Sequence, residues 1–146
     1  MNNQKFITTF VCTGNTCRSP MAEGLFNANL PENLKSKVSA NSRGLAVNIG
    51  DSVSQHSVTV MQNFGVDISN HKATPLSKTD LVDTNLFVCM TSSHADFLLS
   101  LGVPSDCIIT LNVFDPFGCT VDIYETCAMK IKSKLWSVYE FITQSI

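Results

Sequence analysis

The sequence predicts an α/β fold, in which a four-stranded parallel sheet has helices on both faces. Short apolar segments rich in β-branched residues alternate along the chain with segments whose apolar residues recur every three or four positions. Strands joined by helices run parallel, and right-handed crossovers place helices on both faces of the sheet. The length of 146 residues suits one domain, and we assign residues 1–146 to it, since neither a linker nor an internal repeat is present.

The first strand and the first helix are predicted side by side near the start of the chain. Residues 5–12, KFITTFVC, are β-branched and aromatic and lead into a glycine-containing loop, which is typical of a buried strand. Ser19 and Pro20 are an expected N-cap and first helical residue. Apolar residues then continue at helical spacing until Pro31, and they are Met21, Ala22, Leu25 and Phe26.

The rest of the chain repeats this alternation. Further strands are predicted at 38–41, 86–90 (LFVCM) and 107–111 (CIITL). Further helices are predicted at 51–64, at 93–101 and over a long C-terminal segment whose apolar positions run from Tyr124 to Ile142. Residues 66–68 are too few to assign to an element. In a sheet of this kind, ligands bind at the carboxyl ends of the strands.

Charge and cysteine content exclude several classes of protein. Ten Lys and Arg against twelve Asp and Glu give a net charge of −2, so the chain lacks the basic field of a nucleic-acid-binding protein. Six cysteines suit a disulfide framework, but such frameworks belong to small secreted chains, and 44% hydrophobic residues supply a core without one. No cysteine and histidine cluster has zinc-ligand spacing, so we expect neither a metal nor a cofactor.

The N-terminal residues and the hydropathy indicate a cytoplasmic protein. Residues 1–6 have no charged region followed by a long apolar one, and no cleavage site of a signal peptide. All apolar segments are far shorter than the ~20 residues that span a bilayer. We therefore expect reduced thiols and no membrane partner, and most cysteines, above all Cys89 and Cys107, should be small buried core residues. The sequence leaves the oligomeric state open, and a monomer is favoured.

Residues 12–19, CTGNTCRS, lie between the first strand and the first helix, where such a fold binds an anion. Backbone N–H groups of a tight turn converge on one anion, and Gly14 and Asn15 tolerate the conformations that this turn needs. Arg18, one of only two arginines, can hold two phosphate oxygens at once. Because the same field lowers the pKa of a thiol, Cys12 is expected to be an ionised nucleophile at neutral pH.

An ordinary polar turn with a buried cysteine is the competing interpretation, because a cysteine and an arginine at this spacing often occur by chance.

Residues 11–23, VCTGNTCRSPMAE, resemble the phosphate loop of the low-molecular-weight protein tyrosine phosphatases, including their bacterial protein arginine phosphatase branch. Residues 67–71 (DISNH) and 115–118 (DPFG) also resemble motifs of that family, in the same order. The resemblance covers nearly the whole chain and implies a four-stranded parallel sheet of strand order 2-1-3-4.

The resemblance further implies a phosphatase that acts through a phosphocysteine intermediate. It makes Cys12 the nucleophile and Arg18 the phosphate clamp and transition-state stabiliser. Asp115 becomes the proton donor, and one carboxyl can protonate the leaving atom first and activate water second. The alternative for Asp115 is a turn former, since aspartate often precedes proline in turns.

Other side chains receive roles from the same resemblance. The residues expected to line the phosphate site are Thr13, Gly14, Asn15, Thr16 and Cys17, with Phe117 beside the leaving group. Ser19 is expected to hydrogen-bond the thiolate, and a buried polar network is expected from Asn15, Ser39 and His71. His56 and His94 have no such support and are expected on the surface or at a helix cap.

Two features favour phosphoarginine on a protein as the substrate, with phosphotyrosine as the alternative. Thr16 stands where tyrosine-directed members carry a bulky aliphatic residue, and residues 115–118 resemble the arginine branch. A polar wall suits a planar, hydrogen-bonding guanidinium, on which Phe117 can stack. The short connection 111–115 departs from the arginine branch and predicts a more open rim of the pocket.

Two other functions share the fold or the loop. An arsenate reductase needs a resolving cysteine, expected just after the third strand, where residues 91–93 read TSS, and Pro20 replaces a glutamine typical of those enzymes. A phosphocysteine carrier or an anion-binding module does not need Arg18 together with Asp115. Cys17 has two interpretations: a partner for a reversible disulfide with the nucleophile, or a small residue that fills the start of the helix.

Overall fold

Four parallel strands form the central sheet of the computed structural model, which describes residues 4–146. The strands are β1 (Phe6–Cys12), β2 (Val38–Gly44), β3 (Leu86–Cys89) and β4 (Ile108–Thr110). They lie in the order β2-β1-β3-β4, so β1 pairs with β2 on one side and with β3 on the other. The predicted parallel sheet and its strand order are confirmed, and β2 extends past its predicted end at residue 41.

Helices cover both faces of the sheet, as predicted. They are α1 (Arg18–Ala28), α2 (Gln55–Asn63), α3 (Lys78–Asp83), α4 (Ser92–Ser100) and α5 (Val121–Ser145), with 3₁₀ turns at Glu32–Leu34 and Ser105–Cys107. The larger core lies between the sheet and α1, α2 and α5, and the smaller core lies between the sheet and α3 and α4. Strands β1 and β3 serve both cores because their side chains alternate: Phe10 and Val88 pack in the larger core, Val11 and Phe87 in the smaller.

Helices α1 and α2 begin at residues other than those predicted, and α4 begins one residue earlier than predicted. The helix predicted from residue 51 begins at Gln55, because Ser54 caps it by accepting a hydrogen bond from Ser57 N–H at 3.2 Å. Helix α1 begins at Arg18, so Ser19 lies inside the helix and the prediction of Ser19 as its N-cap is wrong.

Helix α3 was not predicted at all. It has six residues, too few to show a helical period, and a capping box between Ser77 and Asp80 defines its start.

The cysteines differ partly from expectation. All six are free, as a reduced protein requires, and Cys89 and Cys127 are buried. Cys107 is only partly buried, so the prediction that it is a buried core residue is wrong, and Cys119 is exposed. Within residues 4–146, none of the helices has the length and apolarity that a bilayer crossing requires.

Candidate active site

The loop between β1 and α1, residues 12–17, lies at the carboxyl end of the central strand β1. The connection after β2 holds its main chain: Leu45 N–H donates to the Cys12 carbonyl at 3.0 Å, and Ala46 N–H to the Thr13 carbonyl at 2.9 Å. Gly44 makes this approach possible, because a Cβ at that position would lie 2.6 Å from the Thr13 carbonyl oxygen. The loop is therefore anchored to β2 before any side chain is considered.

The Cys12 thiol is buried at the start of this loop. Its Sγ lies 2.8 Å from Ser19 Oγ, and Asn15 N–H donates to it at 3.3 Å. Burial raises the pKa of Cys12, while the hydrogen bonds from Ser19 and Asn15 and the charge of Arg18 lower it. Burial has the largest effect, so the pKa of Cys12 is raised and not lowered as expected, whereas Ser19 contacts the sulfur as expected.

Asn15 is the centre of a buried polar network that fixes the loop. It adopts a left-handed backbone with φ of 58°, which asparagine tolerates better than most residues. Its Nδ2 donates to Ser19 Oγ at 2.7 Å and to Ser42 Oγ at 3.1 Å, and its Oδ1 accepts from Thr74 N–H at 2.8 Å. His71 Nε2 lies 3.0 Å from the Asn15 carbonyl and 3.2 Å from Oδ1, so this nitrogen carries the ring proton. The predicted roles of Asn15 and His71 in a network fit this arrangement.

Ser39 does not belong to the network, and that prediction is wrong. It is exposed near the start of β2, whereas Ser42 is buried near the carboxyl end of the strand and contacts Asn15. Residues an odd number of positions apart on a strand face opposite sides of the sheet. Two signals in the sequence could have identified Ser42: the alternation of side chains along β2, and a position close to the end of the strand that meets the loop.

Arg18 and Asp115 meet at the mouth of the loop. Arg18 is buried, its guanidinium donates to the Val113 carbonyl at 3.0 Å, and its second terminal nitrogen lies 3.6 Å from Asp115 Oδ2. Phe117 N–H donates to Asp115 Oδ1 at 3.1 Å, which is the turn geometry expected of Asp-Pro. The side chain of Asp115 is 50% exposed, so the carboxyl is open to solvent.

The short connection 111–115 also positions Arg18. Leu111 N–H and Val113 N–H donate to the carbonyls of Cys89 and Met90, which continues the pairing beside β3 and presents the Val113 carbonyl to Arg18.

A pocket of about 280 Å³ opens above the loop. The residues that line it are Cys12, Thr13, Gly14, Asn15, Thr16, Cys17, Arg18, Ala46, Asn48, Asp51, Asp115 and Phe117. Every predicted catalytic and substrate-binding residue is among them. Sequence reasoning missed Ala46, Asn48 and Asp51, although a segment that follows the carboxyl end of β2 is a natural pocket wall in this fold. A wider cleft beyond α1, of about 540 Å³, contains neither a cysteine nor an arginine.

The rim of the pocket combines polar and aromatic groups. Phe117 is 72% exposed and stands free to contact a ligand. Thr16 is half-buried, and its hydroxyl lies 3.7 Å from Cys17 Sγ. Cys17 is buried and lies 3.4 Å from the Tyr124 hydroxyl, whose pKa burial raises to about 12.

His94, in the first turn of α4, contacts the loop. Its position in the sequence did not indicate this contact. It is buried, its Nε2 lies 2.9 Å from Thr13 Oγ1, and its Nδ1 accepts from Thr91 N–H at 3.2 Å. The expected helix-capping role is present, because Thr91 and His94 form the capping box of α4. The alternative expectation of a surface position is wrong, because His94 is buried.

Known proteins share both the sequence and the fold. The family model described as low molecular weight phosphotyrosine protein phosphatase matches residues 7–145. The chain is 32% identical over 130 residues to the low molecular weight protein-tyrosine-phosphatase PtpB of Staphylococcus epidermidis, covering 84% of this chain and 88% of that protein. It is 34% identical over 126 residues to the protein-arginine-phosphatase of Bacillus subtilis, covering 80% and 83%.

A solved structure agrees with these relatives. The crystal structure of the low molecular weight protein tyrosine phosphatase from T. tengcongensis superimposes with a TM-score of 0.83 at 33% identity, covering 97% of this chain and 100% of that one. Since the family model spans nearly all of the chain, and relatives above 30% identity span four-fifths of it, the chain belongs to the low molecular weight phosphotyrosine protein phosphatase family of cysteine phosphatases.

Proposed function

We propose that this phosphatase dephosphorylates proteins through a phosphocysteine at Cys12 and that phosphoarginine is its preferred substrate. One observation carries the proposal: a cysteine, an arginine and an aspartate line the same pocket above an anchored loop at a helix N-terminus. The helix N-terminus attracts an anion, and the thiol lies beneath it.

The first half-reaction transfers the phosphoryl group to sulfur. Cys12 loses its proton to solvent, and the Ser19 hydroxyl at 2.8 Å and the Asn15 amide at 3.3 Å stabilise the thiolate. The sulfur attacks phosphorus in line, the S–P bond forms, and the P–N bond to the arginine side chain breaks. Asp115 protonates the departing nitrogen, and Arg18 neutralises charge on the phosphoryl oxygens.

The second half-reaction releases phosphate. Asp115, now a carboxylate, removes a proton from water, and the hydroxide attacks phosphorus. The S–P bond breaks, the electron pair returns to sulfur, and inorganic phosphate leaves. The loop residues Thr13, Gly14, Asn15, Thr16 and Cys17 surround the oxygens in both steps.

The charges at the rim support arginine as the departing group. Asp51 lines the pocket together with the proton donor Asp115, and a carboxylate at Asp51 attracts a cationic guanidinium far more than a neutral phenol. The Thr16 hydroxyl adds a polar wall, and the exposed Phe117 ring offers a stacking surface for a planar cation. The relatives named for arginine and for tyrosine are similarly distant, at 34% and 32% identity, so they favour neither substrate, and the proposal of phosphoarginine is supported by the pocket chemistry alone.

Phosphotyrosine is the second candidate, because Phe117 also offers an aromatic face to a phenyl ring. Kinetics with one protein phosphorylated either on arginine or on tyrosine separates the two. We expect a higher kcat/KM for phosphoarginine and a shift toward phosphotyrosine in Thr16→Ile, which replaces the polar wall by an apolar one. A clear tyrosine preference of the unmodified enzyme overturns the first choice and leaves the phosphatase chemistry intact.

A further inference from the structure

His94 is a buried side chain that the proposed chemistry does not use. It is 5% exposed at the beginning of α4 and lies 81 residues from Thr13 in the sequence. Its ring joins two elements, because one nitrogen contacts the main chain at the end of β3 and the other contacts the phosphate loop.

The hydrogen bonds determine which ring nitrogen carries the proton. Nδ1 lies 3.2 Å from Thr91 N–H and 3.0 Å from Thr91 Oγ1. The backbone amide can only donate, so Nδ1 is unprotonated and also accepts from the Thr91 hydroxyl. The proton of the neutral ring is then on Nε2, which donates to Thr13 Oγ1 at 2.9 Å. In a doubly protonated ring, the proton on Nδ1 would face the proton of the Thr91 amide, and this hydrogen bond would be lost.

This bond orients the Thr13 hydroxyl. Because Oγ1 accepts from His94, its own proton is free, and within residues 4–146 this hydroxyl has no other hydrogen bond. Thr13 lines the pocket with Cys12 and Arg18, so the free proton can reach an anion there. We propose that His94 is a positioning residue of the phosphate loop: its Nε2–H holds Thr13 Oγ1 so that the Thr13 hydroxyl donates to an oxygen of the bound phosphoryl group. The proposal rests on the proposed function of the pocket.

The surrounding charges keep the ring in this state. Burial and the charge of Arg18 lower the pKa of His94 to about 4, and the charge of Asp115 opposes them. The imidazole is therefore neutral at pH 7, and its donor remains directed at Thr13.

Two substitutions separate this role from helix capping. His94→Asn retains an acceptor near the position of Nδ1 for the Thr91 amide but is too short to reach Thr13. His94→Gln restores an amide N–H at the reach of Nε2. Ser93→Ala is the matched control, since it removes a hydroxyl from the same turn, 2.9 Å from Thr91 Oγ1, without touching the loop.

We expect His94→Asn to lower kcat/KM for para-nitrophenyl phosphate about tenfold, the usual effect of losing one hydrogen bond of about 1.4 kcal/mol. Competitive inhibition by inorganic phosphate should weaken by a similar factor, while the melting temperature stays close to that of the unmodified enzyme. His94→Gln should recover most of the loss. In a Thr13→Val background, His94→Asn should add no further loss, because the side chain through which it acts is gone.

Three results would overturn the proposal: an unaltered His94→Asn enzyme, losses that multiply in the double variant, or a ring with its proton on Nδ1. The last is read directly from ¹⁵N chemical shifts of His94 in the unmodified enzyme at pH 7, which decides the matter even if a variant fails to fold. Failure of the proposed function looks different, because turnover would then persist in Cys12→Ser whatever residue stands at position 94.

Discussion

Opposing influences act on the sulfur of Cys12 at the scale of single residues. Burial stabilises the thiol, whereas Ser19 and the Asn15 amide stabilise the thiolate. Because burial prevails, the pKa is raised and the reactive thiolate becomes more abundant as the pH increases. The rate of alkylation of Cys12 should therefore rise with pH across the neutral range.

Ser19→Ala removes a hydrogen bond that lowers the pKa of Cys12, so the pKa should rise further. The pH dependence of iodoacetamide alkylation, followed on the peptide that contains Cys12, should move to higher pH. Ser42→Ala is the control, since Ser42 also contacts Asn15 but does not contact the sulfur. An unmoved profile in Ser19→Ala would show that the 2.8 Å contact does not stabilise the thiolate.

Asp51 is a second residue whose role is open to a direct test. If its carboxylate attracts the guanidinium of the substrate, Asp51→Asn should reduce kcat/KM for phosphoarginine about tenfold and change that for phosphotyrosine much less. Asp96→Asn makes the same charge change on the exposed side of α4 and should affect neither substrate. Equal losses for both substrates in Asp51→Asn would assign the residue to the loop's structure instead.

At the scale of elements, the end of β2 determines the shape of the phosphate loop. Gly44 leaves room for the Thr13 carbonyl, because a Cβ there would lie 2.6 Å from its oxygen. Asn15 Nδ2 donates to Ser42 Oγ, and the two residues after Gly44 donate to carbonyls of the loop. Strand β2 thus acts as a template for the loop. A change that pushes β2 away from the loop should displace all the reacting groups of the loop at once.

Gly44→Ala tests this template. The added Cβ would lie 2.6 Å from a backbone oxygen, which cannot rotate away, so the loop must shift. We expect a loss of stability of about 1–3 kcal/mol from overpacking and a fall in kcat of up to about 100-fold from misplacement of the loop. Ser39→Ala, on the exposed side of the same strand, should leave both quantities unchanged. Full activity in Gly44→Ala would contradict the template.

Elements with a strong local pattern, either periodic or continuously apolar, were predictable from the sequence. The contacts between elements were not. Strands such as β3 are continuous apolar segments, whereas α3 has only six residues and no period to read. The residue types and spacing of segment 12–18 indicate an anion site by themselves, so the position of the loop was predictable. Asp51 reaches the pocket, and His94 reaches the phosphate loop, only through the packing of elements distant in sequence, which the local sequence does not indicate.

At the scale of the whole molecule, His94 links the stability of the fold to pH. Its pKa is about 4 in the folded protein, against an ordinary value of 6.5. Between these values the unfolded chain binds the proton and the folded chain does not, so stability falls as the pH drops from about 6.5 toward 4. The contribution lost should be on the order of 2 kcal/mol.

Urea unfolding between pH 7 and pH 4 measures this contribution. Carboxylates also affect stability in this range, so His94→Asn is the reference, and the unmodified protein should lose more stability than the variant does on acidification. Equal losses of stability in the two proteins on acidification would show that the pKa of His94 is the same in the folded and the unfolded chain.

The sheet, the anchored loop and the half-exposed Asp115 together support one central claim, that the phosphoryl group passes through the sulfur of Cys12. Asp115→Asn should trap it there when the leaving group needs no protonation, because the activation of water is then the impaired step. Rapid quenching of this variant with para-nitrophenyl phosphate, followed by peptide mass spectrometry, should place one phosphoryl group on Cys12. A phosphoryl group on another residue, or undiminished turnover in Cys12→Ser, would contradict the account.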